Sequence, residues 1–352
     1  MQGTPAARLP KAVLHDHLDG GLRVQTLVDL AAETDYRGLP TASPDELSAA
    51  MWQADSGSLV SYLAAFKHTV GVMQTAPAIE RVAYESAIDH RAAGVVYAEI
   101  RFGPALLTQR DLSQEDAIEA ALAGFDRAAS ETGIEVATII SALRDDPDSE
   151  SVARAAVQFA DQGVVGFDLA GPEAGFPASD HVAAIDIARD AGLGITLHAG
   201  EGAGVESIAN ALQSGAQRIG HGVRIIEDCR VVDGAVADVG KLAQRVLDEQ
   251  IPLEVAVSSN LHTGIAAVVD HHPFGMLYRA GFNVSINTDN RLMSNIDMID
   301  EFALVTAAFD LNLDDLARIT LRAVEAGFGS ETRRTELMRL VAEEYAAATA
   351  AP

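Results

Sequence analysis

The chain has 352 residues, 48% of them hydrophobic and only 5% aromatic, enough apolar material for a large core built mainly from Ala, Val, Leu and Ile. Twenty-five Lys and Arg against 51 Asp and Glu give a formal charge of −26, which disfavours nucleic acid and anionic membranes as partners and favours a small, weakly charged one. The single cysteine, Cys229, excludes an intrachain disulfide and a thiolate metal cluster. The N-terminal stretch has no apolar signal-peptide core and no run is apolar enough to span a bilayer, so the expected location is cytoplasmic.

In chain order, short β-branched runs alternate with helix-spaced ones. Lys11–His15 is a brief apolar run that ends in His15-Asp16-His17. Further strands are predicted over Val95–Arg101, Ile134–Leu143, Val164–Ala170, Gly194–His198, Arg218–Gly220, Leu253–Ser258 and Phe282–Asn287. Between them, Ala76–Ala93, Gln114–Thr132, Ser151–Asp161, Ala183–Ala191, Val205–Gln213 and Val239–Glu249 carry helical periodicity. Several of these end at a glycine (Gly94, Gly133, Gly163, Gly192), the usual helix stop. Alternating β and α units imply a parallel sheet, and eight strands favour closure into a (β/α)8 (TIM) barrel, although an open sheet fits the same pattern. Additional helices are expected over residues 22–75, after the first strand, and 294–349, at the C-terminus. Arg144–Glu150 reads as a solvated acidic loop. Without a linker or repeat, residues 1–352 are expected to form one domain.

Catalytic groups of parallel barrels sit at the C-terminal ends of their strands, and here those ends are polar. His15 and His17, two apart, share a strand face; taken alone, such a pair is more often a surface feature than a metal site. The fifth strand ends in His198 with Glu201 three residues on, the sixth in His221 between glycines, and the eighth in Asn287-Thr288-Asp289-Asn290. A satisfied histidine, a turn histidine and a helix-capping Asp would explain each of these separately. Jointly, three imidazoles and a carboxylate at the ends of strands one, five and eight suit one divalent ion with a position left for water. His68, His90 and His181 are expected at the surface; His262, His271 and His272 match no ligand spacing.

The same residues resemble the adenosine deaminase family of the amidohydrolase superfamily, of the actinobacterial type. The resemblance is carried by Leu9-Pro10-Lys11, His15-Asp16-His17-Leu18-Asp19-Gly20, Tyr97-Ala98-Glu99-Ile100-Arg101 and Asp168-Leu169-Ala170-Gly171-Pro172-Glu173. It continues through His198-Ala199-Gly200-Glu201, Gly220-His221-Gly222, Ser259-Asn260-Leu261 with Thr263-Gly264, and Asn287-Thr288-Asp289. It implies one zinc ion per chain on His15, His17, His198 and Asp289, and Glu201 as the proton donor to purine N1. It also implies His221 as base or electrostatic partner of the attacking water, Gly171 at N3, and Asp19 at the ribose; His17 is expected to border the substrate as well. Ser58-Leu59, Tyr62-Leu63 and Phe66 look like the family's apolar gate, and plain helix packing would explain them equally. The implied reaction converts adenosine or 2'-deoxyadenosine and water to inosine or 2'-deoxyinosine and ammonia, a step of purine salvage. Adenine, aminodeoxyfutalosine or an N6-substituted adenosine are alternative substrates of the same chemistry, and another amidohydrolase reaction is a further alternative. Oligomeric state is left open.

Two departures stand out. Asn290 replaces the second of two adjacent aspartates whose family role is a hydrogen bond to N7; an amide NH2 donates there without any protonation change. Ala256-Val257-Ser258 stands where many relatives have Cys-Pro-Thr. Asp168 stands at the fourth strand end, where a binuclear hydrolase would carry a carboxylated lysine.

Overall fold

The computed structural model describes residues 9–350; the first eight residues, part of the stretch read for an export signal, lie outside the described residues. Eight parallel strands pair in sequence order: β1 (Lys11–His17), β2 (Val95–Phe102), β3 (Glu135–Leu143), β4 (Val164–Ala170), β5 (Gly194–Ala199), β6 (Arg218–His221), β7 (Leu253–Val255) and β8 (Val284–Ile286). The ring closes just beyond β8. Asp289 bridges Asp16 in parallel register, its N–H donating to the His15 carbonyl at 2.9 Å and its carbonyl accepting from His17 N–H at 2.7 Å. The barrel expected from the alternating pattern is therefore present, and a site residue forms its seam.

The strand ends fall where the apolar runs stop, with two differences. β7 is short, because Val257–His262 turns into a helix although Val255 and Val257 continue a strand-like alternation. The helix predicted from Val239 begins at Lys241; Val239 closes a two-stranded hairpin, Cys229–Val232 with Ala235–Val239. The glycine stops hold at Gly94, Gly133 and Gly192, with φ of 84°, 74° and 86°, whereas the helix before Gly163 ends earlier, at Val157. Helices Val24–Glu33, Pro44–Met51, Leu59–Leu63 and Phe66–Val72 fill the insertion after β1, and Met298–Phe309, Leu313–Ala326 and Glu331–Ala350 follow β8. Among the described residues, no helix is long and apolar enough to cross a membrane.

Aliphatic side chains from strands and surrounding helices form the main core, but the barrel also buries charge. On β2, Tyr97, Glu99 and Arg101 alternate and share one face. All three are fully buried, as are Arg218 and Glu254. Glu254 accepts from Arg101 Nη2 at 2.6 Å, Arg218 Nε at 2.7 Å and Thr196 Oγ1 at 2.8 Å, while Glu99 pairs with Arg218. Buried charges persist only when paired in this way. Despite burial, Arg101 and Arg218 hold the Glu254 carboxyl well below the usual range.

Three surface expectations are corrected. His90 and His181 are buried, the first 3.2 Å from Asp16 and the second between Ser149 Oγ and the Arg144 carbonyl; each sits on a helical or loop segment whose inward face the local pattern does not mark. Arg144–Glu150 is only partly a solvated loop: Arg144 is buried, donating to the carbonyls of Phe176 and His198, and a helix starts at Ser149.

Candidate active site

His15, His17, His198 and Asp289 converge at the C-terminal mouth of the barrel, their ligand atoms all within 4.8 Å of one another. His15 Nε2 and His17 Nε2 lie 3.3 and 3.4 Å from Asp289 Oδ1, and His17 Nε2 lies 3.2 Å from His198 Nε2. Two of the three rings are aimed from behind. Glu254 Oε2 meets His15 Nδ1 at 3.0 Å, and Asp168 Oδ1 meets His198 Nδ1 at 3.0 Å. Ser141 Oγ and Arg101 in turn hold Asp168, and Ser259 Oγ donates to Asp289 Oδ2 at 2.6 Å. A carboxylate on Nδ1 leaves Nε2 facing inward with its lone pair, the arrangement of a metal-binding imidazole. His15 Nε2 is buried with no hydrogen-bond partner. Burial lowers the His17 pKa to about 3 and lowers that of His198 too, so both are neutral donors. An orphaned buried nitrogen within a three-imidazole, one-carboxylate set fits a divalent cation such as zinc.

The backbone is bent to make this possible. His221 and Asp289 adopt φ of 60° and 58°, a left-handed conformation that costs non-glycine residues on the order of 1–3 kcal/mol and clusters at functional sites. Gly220 makes room for the His15 ring: a Cβ there would stand 3.1 Å from His15 Cε1.

Glu201 lies next to this cluster, its Oε2 3.5 Å from His221 Nε2. Its loop is gripped by Glu173, whose carboxylate accepts from the backbone N–H groups of Gly200, Glu201, Gly202 and Ala203 at 2.6–3.1 Å. Arg224 Nε holds the Glu201 carbonyl at 2.9 Å. Burial, then the charges of Asp289 and Glu173, push the Glu201 carboxyl well above its ordinary pKa.

A cavity of about 230 Å3 opens over these groups, with His17, Asp19, Gly171, His198, Glu201, His221, Asp289 and Asn290 on its walls. Burial pushes Asp19 up to about 7, and its Oδ1 has no hydrogen-bond partner. Asn290 Oδ1 is equally unpartnered and buried. It packs so closely on Gly20 that a Cβ there would be 1.9 Å away. Leu59, Tyr62 and Leu63, on the short helix that Ser58 caps, and Phe66, at the start of the next helix, cover one side.

The structure thus brings the expected site residues together: His17, Asp19, Gly171, His198, Glu201, His221, Asp289 and Asn290 line one cavity, and His15 lies buried behind it in the four-residue cluster. It adds supports that the strand-end reading passed over: Glu254, Asp168, Ser259, Asn260, His272 and Glu173. The alternation Tyr97-x-Glu99-x-Arg101 within a buried strand was a usable sign of a charged barrel interior; nothing local marks His272.

Eight parallel strands carrying this donor set at their C-terminal ends define a metal-hydrolase barrel of the amidohydrolase type. The family profile described as adenosine deaminase matches residues 10–344, and the chain belongs to that family. A Mycobacteroides abscessus protein named adenosine deaminase is 47% identical over 328 residues, covering 91% of this chain and 90% of that protein. Among solved structures, the adenine deaminase of Arthrobacter aurescens superimposes with a TM-score of 0.85 at 25% identity, covering 95% and 98% of the two chains. The N6-mAMP deaminase of Arabidopsis gives 0.82 at 26%, covering 96% and 99%.

Proposed function

We propose that the chain hydrolytically deaminates adenosine and 2'-deoxyadenosine, giving the 6-oxo nucleoside and ammonia, with one zinc ion held by His15, His17, His198 and Asp289. The observation that carries this reading is the four-ligand cluster placed directly beside a buried glutamate, its pKa raised by burial, on the wall of one cavity. Bound there, zinc supplies an acidified water able to attack an electrophilic ring carbon at neutral pH.

The chain's own groups do the rest. Glu201 carries a proton to donate to purine N1, which localises the N1–C6 bond and makes C6 electrophilic. His221, with Nε2 3.5 Å from the Glu201 carboxyl, orients the attacking water. Gly171 lines the wall that faces N3, Asp19 receives the ribose hydroxyls, and the Asn290 amide meets N7. Leu59, Tyr62, Leu63 and Phe66 exclude solvent from the base.

Among the described residues no Lys or Arg lines the cavity, whereas Asp19, Asp145, Glu201 and Asp289 do. A 5'-phosphate would enter a cavity with no cationic side chain to pair with and with Asp145 on its wall. Like-charge juxtaposition costs several kcal/mol, so kcat/KM for adenosine should exceed that for AMP or N6-methyl-AMP by at least about 10²-fold. Ammonia release across a panel of adenosine, 2'-deoxyadenosine, adenine, aminodeoxyfutalosine, N6-methyladenosine and AMP tests this. Comparable turnover of AMP would overturn the nucleoside assignment. Adenine as the best substrate would favour the second reading, which the likeness to the Arthrobacter adenine deaminase suggests.

A further inference from the structure

His221 is left by its position alone as either a base or a hydrogen-bond donor, and a chain of contacts behind it decides between the two. The chain starts from a donor of fixed identity: the backbone N–H of Phe274 donates to His272 Nδ1 at 3.1 Å. His272 Nδ1 is therefore an acceptor, and the proton of the neutral ring is on Nε2. His272 Nε2 lies 3.3 Å from Asn260 Oδ1 and donates to it. The Asn260 amide is thereby oriented with its Nδ2 toward His221 Nδ1, 3.0 Å away. An amide NH2 only donates, so His221 Nδ1 accepts.

The opposite polarity fails at the first link. Turning the amide round would ask His272 Nε2 to accept while Nδ1 already accepts from Phe274, and a neutral imidazole has one acceptor nitrogen only. His272, Asn260 and His221 are all fully buried, so water offers no substitute partner. Burial also takes the His272 pKa down to about 3, which keeps that ring neutral.

We infer that Phe274, His272 and Asn260 form a relay fixing His221 as the neutral tautomer with its proton on Nε2, so that His221 donates a hydrogen bond into the active site and does not act as the base. Asn260 and His272 are positioning residues in this scheme. A water held between the cluster and C6 would be oriented by the His221 Nε2–H, and the groups able to take its proton are the carboxylates. The inference rests on the deaminase reading only for what His221 donates to; the tautomer itself is a property of the resting protein.

The test is a long-range proton–nitrogen correlation spectrum of the whole, metal-loaded protein carrying isotope-labelled histidine, with His221 and His272 assigned by loss of their signals in His221→Gln and His272→Gln. The expected result is a protonated Nε2 and a bare Nδ1 for both rings. In Asn260→Asp the carboxylate can only accept, so a proton should appear on His221 Nδ1. A protonated His221 Nδ1 in the unaltered protein overturns the inference, as does an Nδ1 that stays bare in Asn260→Asp; should that variant not fold, the unaltered protein's spectrum decides alone. Ammonia release from adenosine is read on the same sample. A bare Nδ1 without turnover would sink the deaminase reading and keep the tautomer, whereas a protonated Nδ1 in an active enzyme would do the reverse.

Discussion

Glu201→Gln should lose on the order of 10²–10⁴-fold in kcat, the usual contribution of a general acid, while its zinc content and its KM for adenosine change little. Glutamine keeps the shape and can still donate a hydrogen bond to N1, but it cannot transfer a proton, so C6 stays aromatic and resists attack. The local structure makes the substitution selective for chemistry. The loop bearing residue 201 is held by backbone contacts to Glu173 and Arg224, none of which uses the Glu201 side chain. Glu201 is 5% exposed, and burial raises its pKa well above the ordinary carboxyl value, the direction a proton donor at neutral pH requires. The loss corresponds to about 3–5 kcal/mol of transition-state stabilisation. Single-turnover ammonia release, with elemental analysis of the same preparation, checks it. Turnover within a few-fold of the parent would exclude Glu201 as the acid.

His198→Ala should empty the site, and Asp168→Asn should only loosen it. His198 offers Nε2 to the cluster, and its removal takes away one of the four protein ligands outright. Asp168 touches no ion. It sets the His198 ring by its 3.0 Å contact to Nδ1 and is itself held by Ser141 and Arg101. Supports of this kind alter metal affinity by about 10–100-fold. After dialysis, the first variant should hold almost no zinc and the second should need a higher free concentration to fill. Equal retention by His198→Ala and the parent would remove His198 from the ligand set.

The barrel and its donor set were legible because each strand is an apolar run that stops at a polar residue. His15, His17, His198, His221 and Asp289 all fall at such a stop, and a parallel barrel collects its strand ends at one mouth. What stayed hidden depends on contacts distant in sequence. Glu254 sits in Leu253–Val255 as one acid among apolar neighbours. Only the closed barrel shows it meeting Arg101 from β2, Arg218 from β6 and His15 from β1. His90 looks like an ordinary residue near a helix end until Asp16 is found beside it. The hairpin Cys229–Val239 is different, since its sign was present. Asp233-Gly234 between β-branched residues is a two-residue turn signal, and both residues take the positive φ it requires, 51° and 73°. Helical spacing beyond Val239 drew that residue into the wrong element.

Metal content and catalysis measured together probe the central arrangement most directly. Zinc per chain and ammonia release from adenosine would be followed on one preparation as a chelator strips the metal and zinc is titrated back. One equivalent per chain is expected, with activity falling and returning in proportion to it. Full turnover by metal-free protein, or a chain that binds no zinc at this cluster, would contradict the account.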